Sequence, residues 1–127
     1  MLIKNLGFQI NRNPGIFNLL IEQFQAYFKG ELKAFKFPLD LRLGTPFQQK
    51  VWKTLLTIPY GETRSYKWMA KSINNPDSSR AVGNANGQNP LSIIIPCHRV
   101  VRENGALGGY TGGIQIKRYL LDLEKAS

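Results

Sequence analysis

The sequence predicts a mainly α protein with a small β component, and three features carry that prediction. Apolar residues recur at helical spacing over residues 14–29, 46–56 and 114–125. One β-branched run, Ile93-Ile94-Ile95, reads instead as a buried strand. Turn residues at 58–61, 74–77 and 104–105 separate the elements.

At 127 residues the chain makes one domain around a single core. Seventeen Lys and Arg against eight Asp and Glu give a net charge of +9. That balance favours a polyanionic partner, and nucleic acid comes ahead of an anionic membrane because no basic amphipathic helix stands out. Scattered, solvated lysines are the plainer reading. No signal peptide or membrane-length apolar run is visible, so a soluble, cytoplasmic protein is expected. One cysteine excludes an internal disulfide and fits a reducing compartment. A single Cys and a single His also exclude a four-ligand zinc site of those residues, and no metal or cofactor is expected.

Residues 1–13 alternate around Leu6, Phe8 and Ile10 and predict a short strand or ordered arm. Asn13 as N-cap and Pro14 at the first position then open a helix. Ile16, Phe17, Leu19, Leu20, Phe24, Tyr27 and Phe28 give that helix an apolar face, and Gly30 stops it. The face reads as core, without chemistry. Phe35, Phe37, Leu39, Leu41 and Leu43 alternate along an extended connector ending at Gly44. Thr45-Pro46 opens a second helix whose buried stripe is Phe47, Val51, Trp52, Leu55 and Leu56. Trp52 reads as a core anchor rather than a base-stacking platform.

A short helix over 63–72, a tight turn at 74–77 and a helix over 78–86 capped by Asp77 or Ser78 form a helix-turn-helix pattern. The second of these helices is unusually small, with Ala81, Gly83, Asn84, Ala85 and Asn86. A helical glycine costs up to about 1 kcal/mol relative to alanine, so bulk is excluded there for a reason. Either DNA approaches that backbone, with Arg80 as its one long side chain, or the helix packs closely in the core; composition leaves both open. Asn89, before Pro90, fixes a turn into the apolar run. Asn104-Gly105 marks a hairpin-type turn. Gly108 to Gly113 is glycine-rich but lacks the lysine and spacing of a phosphate loop, and reads as a pocket wall that approaches a flat ligand. The last helix, 114–125, is expected to bury Ile116, Tyr119, Leu120 and Leu123 and to carry Glu124 within reach of His98.

Cys97 and His98, the only residues of their kinds, stand side by side. A lone cysteine after an apolar run is usually an inert core residue. Here Pro96 forces the chain out of the sheet just before it, His98 offers a base, and Arg99 adds positive charge. An ordinary thiol has a pKa of about 8.5 and is mostly protonated at neutral pH. A Cys-His-acid set answers that, with His98 removing the proton directly or through water and Glu124 orienting the imidazole. The same set suits a cysteine hydrolase, which would also need an oxyanion hole, so the chemistry leaves the substrate open.

Pro96-Cys97-His98-Arg99-Val100 after an apolar run resembles the active-site signature of the O6-alkylguanine-DNA alkyltransferases, and the resemblance runs from about Gly44 to Glu124. It implies a winged helix-turn-helix-like DNA-binding catalytic domain over 45–127, behind a truncated N-terminal segment of strand, helix and connector over 1–44. It implies DNA repair by one irreversible transfer of the alkyl group from O6-alkylguanine in duplex DNA to the protein's own cysteine. Cys97 would be the acceptor, His98 and Glu124 its activating relay, Tyr66 the residue that bonds the base and helps protonate it, and Asn89 the hinge. Arg80 would fill the gap left by the flipped nucleotide, with Ser79, Ala81, Gly83, Asn84 and Arg99 also on the DNA. Tyr110 and Thr111 would wall the base pocket. The implied partner is double-stranded DNA bound through its minor groove by a monomer, with no cofactor and no membrane. The family's alkyltransferase-like branch binds the same lesions without repairing them; it lacks the acceptor cysteine, which this chain has.

Overall fold

A computed structural model describes residues 15–37 and 39–126, apart from the side chain of Ile16. The strand expected over residues 1–13 and the Asn13-Pro14 helix start lie outside the described residues. Helix α1 spans Ile16–Phe28. It ends where Gly30 takes φ 76°, with the Gly30 amide donating to the Tyr27 carbonyl at 2.9 Å and that of Glu31 to Ala26 at 2.9 Å. Its buried face is narrower than the apolar pattern suggested: Leu20, Gln23 and Tyr27 point inward, whereas Phe17, Leu19 and Phe28 are exposed. Gln23 is inside because it pairs with the backbone of Lys36 through both amide atoms, at 2.8 and 2.6 Å, and so clasps the connector to the helix.

Helix α2, Pro46–Leu55, begins with a full capping box between Thr45 and Gln48. Val51, Trp52 and Leu55 are buried; Leu56, expected in the same stripe, falls past the helix end and is 41% exposed. A Cβ on Gly44 would come within 2.3 Å of the Trp52 ring, so only glycine lets the connector cross there. The Trp52 indole also donates to the Ala85 carbonyl at 3.0 Å, fixing α2 against the small-residue helix.

The helix expected over 63–72 is shorter. Arg64–Ser65 form strand β1, and helix α3 runs Tyr66–Ser72 with Ser65 accepting from the Trp68 amide as its N-cap. Asn74, at φ 59°, makes the turn into α4, Ser79–Gly87. Ser78 precedes α4 but does not cap it with its side chain, because its backbone is not extended and its hydroxyl donates to the Asn75 carbonyl at 2.6 Å. Helix α4 packs on both α2 and α3.

The expected strand at Ile93-Ile94-Ile95 is a buried turn. The Ile95 amide donates to the Leu91 carbonyl at 2.9 Å, and Ile93 sits at φ 76°, a strained value for a β-branched residue. Asn89 holds both ends, donating to the Ile95 carbonyl at 2.7 Å and accepting from the Leu91 amide at 2.9 Å. Burial on every side made the run apolar whatever its backbone, so periodicity misread it. Cys97–Arg99 follow as a single 3₁₀ turn, and strand β2, Val100–Val101, pairs in parallel with β1. The turn at Asn104-Gly105 forms with Gly105 at φ 86°, but it returns no second strand: among the described residues β2 pairs only with β1.

Helix α5, Ile114–Ala126, buries Leu120 and half-buries Leu123 as expected, but the rest of its inner face differs from the expected one. Ile116 and Tyr119 are 48% and 54% exposed, while Lys117, Leu120 and Glu124 are inside. Leu20 and Phe37 share one apolar cluster with Val51, Trp52, Leu55, Met69, Val82, Ile95 and Val100, so α1 and the connector after it contribute to the same core as the rest. Among the described residues no helix is long and apolar enough to cross a membrane.

Candidate active site

Pro96 and the 3₁₀ turn put Cys97 at the boundary between the core and a cavity of about 850 Å³. Its residue is 6% exposed and it forms part of the cavity wall. Tyr66, at the start of α3, stands on one side, and Gly108, Gly109, Tyr110 and Thr111 on another. The wall is completed by α4 through Ser79, Arg80, Gly83 and Asn86.

Close packing accounts for the small α4 residues on one face only. Val82 and Ala85 are buried against the core. A Cβ on Gly83, by contrast, would meet nothing nearer than Tyr66 Cε1 at 3.9 Å, so the protein's own packing does not require glycine there. Arg80, Ala81 and Asn84 are exposed on the same helix. In the loop, Gly108 lies at φ 73°, and a Cβ there would press on Tyr66 at 3.2 Å. Glycine therefore lets the loop close against the tyrosine. Thr111 donates to the Gly87 carbonyl at 3.3 Å and ties the loop to the end of α4.

Behind Cys97 lies a sealed charged cluster centred on Glu124. Oε2 accepts from His98 Nε2 at 2.7 Å, from the Tyr27 hydroxyl at 2.6 Å and from Arg99 Nη2 at 3.0 Å. Oε1 accepts from Arg99 Nε at 2.8 Å and from the Gly61 amide at 3.4 Å. Burial pushes the Glu124 pKa up, but the hydrogen bonds from His98 and Arg99, the charge His98 carries when protonated, and the hydrogen bond from the Tyr27 hydroxyl overcome it and hold the carboxyl down to about 2. Glu124 is thus an ionised, acceptor-only group at neutral pH, which requires His98 Nε2 to carry the proton between them. His98 Nδ1 then presents its lone pair; it is buried and has no hydrogen-bond partner among the described residues. Burial lowers the His98 pKa, against the pull of Glu124, so the ring is neutral at rest.

The thiol is not activated in the resting protein. Burial raises the Cys97 pKa, with partial relief from hydrogen bonding to Asn89 and from the Lys117 charge. Arg99, expected both to favour the thiolate and to contact DNA, does neither by position. It is turned inward, with Nη1 on the Ile58 carbonyl at 2.7 Å and the rest of its fork on Glu124, because a buried carboxylate there needs a bidentate counter-ion. The positive charge acting on Cys97 comes from Lys117. That side chain is fully buried, donates to the Gly109 carbonyl at 3.1 Å and has its pKa lowered to about 8 by burial. The Tyr66 and Tyr110 hydroxyls are both pushed up, by burial first and then by the neighbouring Cys97.

The structure therefore brings Cys97, His98, Glu124, Asn89, Tyr66, Tyr110 and Thr111 to one centre. Ser79, Arg80 and Gly83 sit at its rim, and Ala81 and Asn84 on the outer face of α4. Sequence reasoning missed Tyr27, Lys117 and Asn86. Tyr27 sat within an apolar pattern that explained it fully. Lys117 carried one signal, its i, i+3, i+7 spacing to Leu120 and Glu124 on one helical face. Asn86 is buried in the cavity wall with its Oδ1 unpartnered among the described residues. No three His, Cys, Asp or Glu side chains among the described residues are grouped to hold a metal ion.

Residues 46–126 match the family model of the 6-O-methylguanine DNA methyltransferase DNA-binding domain. The methylated-DNA–protein-cysteine methyltransferase of Mycobacterium tuberculosis is 60% identical over 114 residues, covering 90% of this chain and 68% of that protein. The protein of the same description from Methanosarcina acetivorans is 54% identical over 115 residues, covering 88% and 71%. A crystal structure of the M. tuberculosis OGT in complex with DNA superposes with a TM-score of 0.84 at 60% identity, covering 87% of this chain and 68% of that one. With the family model spanning residues 46–126 and a relative this similar along most of its length, the chain belongs to the O6-methylguanine-DNA methyltransferase family.

Proposed function

We infer that this chain repairs DNA by taking an alkyl group from O6-alkylguanine in duplex DNA onto its own Cys97, once per molecule. The observation that carries this reading is the position of Cys97, with the cavity of about 850 Å³ in front of it and the His98–Glu124 pair behind. Such a volume accommodates an extruded purine, and a base inside a duplex must leave the stack to be reached. His98 Nδ1 takes the thiol proton, directly or through water, and Glu124 stabilises the imidazolium that forms. The sulfur attacks the alkyl carbon, the bond from that carbon to O6 breaks, and its electron pair stays on the guanine. Tyr66 donates a hydrogen bond to the base and helps return a proton to it, so that guanine departs neutral and Cys97 is left as a thioether.

Residues 45–127 do this work, and residues 1–44 support them. Asn89 ties the end of α4 to the backbone that leads into Cys97. Tyr110 and Thr111 form the wall against which the base sits. Helix α4 enters the minor groove, with Ser79, Ala81, Gly83 and Asn84 close to the backbone and Arg80 in the space that the flipped nucleotide leaves. Recognition then rests on phosphate contacts and duplex shape, consistent with a net charge of +9. The protein acts as a monomer, in the cytoplasm, where a reducing environment keeps the thiol free.

Intact-mass measurement after incubation with O6-benzylguanine tests the chemistry. One added benzyl group per chain is expected, and none in Cys97→Ala, which still binds duplex DNA. Affinity for alkylated duplex without any adduct on the wild-type protein would instead make it a lesion-binding module, and turnover of an ester without regard to DNA would make it a hydrolase.

A further inference from the structure

Helix α1 lies outside the region that carries the motif, yet it sends one polar atom into the relay. Tyr27 is fully buried, and its hydroxyl is 2.6 Å from Glu124 Oε2, the same oxygen that accepts from His98 at 2.7 Å. Its ring is held by Phe28, Phe35 and Tyr60 at centroid separations of 5.3, 5.4 and 6.2 Å, which fixes the direction in which the hydroxyl points.

We propose that Tyr27 is a positioning residue of the relay: its phenol shares Glu124 Oε2 with His98, and thereby fixes that oxygen in place and limits the negative charge the imidazole feels. The proposal rests on the reading of His98 as the proton acceptor, and adds that the N-terminal helix tunes it. The physics is that of a shared acceptor. A carboxylate oxygen that accepts three hydrogen bonds, here at 2.6, 2.7 and 3.0 Å, spreads its charge over three donors, so each donor is held less strongly than it would be alone. Without the phenol, Oε2 would pull harder on His98, favour the imidazolium in the resting protein and withdraw the base at mildly acid pH. The other groups facing the imidazole are Glu124 and Lys117 from α5 and Arg99 from the 3₁₀ turn. Cys97 adjoins it, and Tyr60 packs on Tyr27 and beneath Arg99. None of these changes when Tyr27 loses only its oxygen.

The chain contains one histidine, so its imidazole resonances need no assignment by mutation. In Tyr27→Phe, the His98 titration midpoint read by ¹⁵N and ¹³C NMR is expected to rise by about 0.5–1 pH unit, the equivalent of one lost hydrogen bond to the shared oxygen. The acid limb of the reaction with O6-benzylguanine moves up with it. A difluorotyrosine at position 27, a stronger donor of nearly the same shape, moves both the other way. A Tyr27→Phe protein that melts lower but titrates at an unchanged pH would reduce Tyr27 to packing and overturn the proposal. So would a difluorotyrosine protein that titrates like the wild type. The NMR titration requires no alkyl transfer, so a shifted His98 in a protein that accepts no benzyl group would support the tuning and reject the proposed activity.

Discussion

The two sides of Cys97 are built on opposite principles. Toward the cavity the wall is loosely filled: Ser79 and Gly83 of α4 and the Gly108–Gly109 stretch leave room between the Tyr66 and Tyr110 rings. Toward the interior the wall is crowded, with the two oxygens of Glu124 accepting from His98, Arg99, Tyr27 and the Gly61 amide. The open side must admit something large and flat. The sealed side must hold charges in fixed positions without water, where each is stronger and each unpaired group more damaging. Substitutions should therefore separate cleanly: on the sealed side they disturb stability and proton transfer together, and on the open side they disturb binding while leaving the fold intact.

Glu124→Gln is the strongest test of that separation. It leaves the Arg99 guanidinium buried without its counter-ion and His98 without a charged partner, a loss of about 3–5 kcal/mol of stability. Alkyl transfer should slow on the order of a hundredfold, as the imidazolium loses its stabilising charge. The pH dependence sharpens this. Glu124 is held at about 2 in the folded protein against 4.5 ordinarily, so its contribution is complete above pH 4.5 and disappears as pH falls through 2. Denaturant midpoints of wild type and Glu124→Gln should therefore differ most near neutrality and converge below pH 4.5. Parallel curves would show that the carboxylate is not what the cluster is built around.

Lys117 sits between the two sides, and its effects should oppose one another. Burial lowers its pKa from 10.5 to about 8, so the stability linked to its neutral form is present above 10.5 and lost as pH falls through 8. At pH 7 the ammonium is a charge kept inside against its solvation. Lys117→Met should raise stability by about 1–3 kcal/mol, seen as a higher Tm. The same change removes the positive charge that draws down the Cys97 pKa, so the pH at which the thiol reacts with iodoacetamide should move upward. With one cysteine in the chain, that readout belongs to a single group. A lower Tm, or an unchanged thiol profile, would place Lys117 in the structural core instead.

How far each region could be read from the sequence follows the same divide. Gly30, Thr45-Pro46 and Asn89 act through local backbone chemistry and were legible as stop, start and turn. The cavity side was legible as well, because small residues and glycines are visible by what they lack. The relay was only partly legible. Cys97, His98 and Glu124 declare their chemistry by type, but Arg99 looks like a surface cation until its fork is found on Glu124. The inner face of α5 was assigned to Ile116, Tyr119, Leu120 and Leu123, and only the two leucines turn inward, because hydrophobicity marks burial only where buried groups are apolar and here two of the buried positions are Lys117 and Glu124. Ile93 failed for a different reason: a run buried on all sides carries no periodicity from which a strand can be told from a turn.

The smallest effect on the fold, and the sharpest on the open side, is expected from Gly83→Ala. Alanine in a helix interior is favoured over glycine by about 0.5–1 kcal/mol, and the added methyl has only Tyr66 Cε1 near it, at ordinary contact distance of 3.9 Å. Stability should therefore hold or rise slightly, and the His98 titration should stay where it is. If α4 docks on DNA as proposed, affinity for duplex DNA should nevertheless fall several-fold in a fluorescence titration, because the methyl fills the cavity rim beside Tyr66 where that contact would be made. A variant that is more stable and binds duplex as well as the wild type would mean that glycine at this position answers to nothing the helix docks against, and the division between the two sides of Cys97 would have to be redrawn.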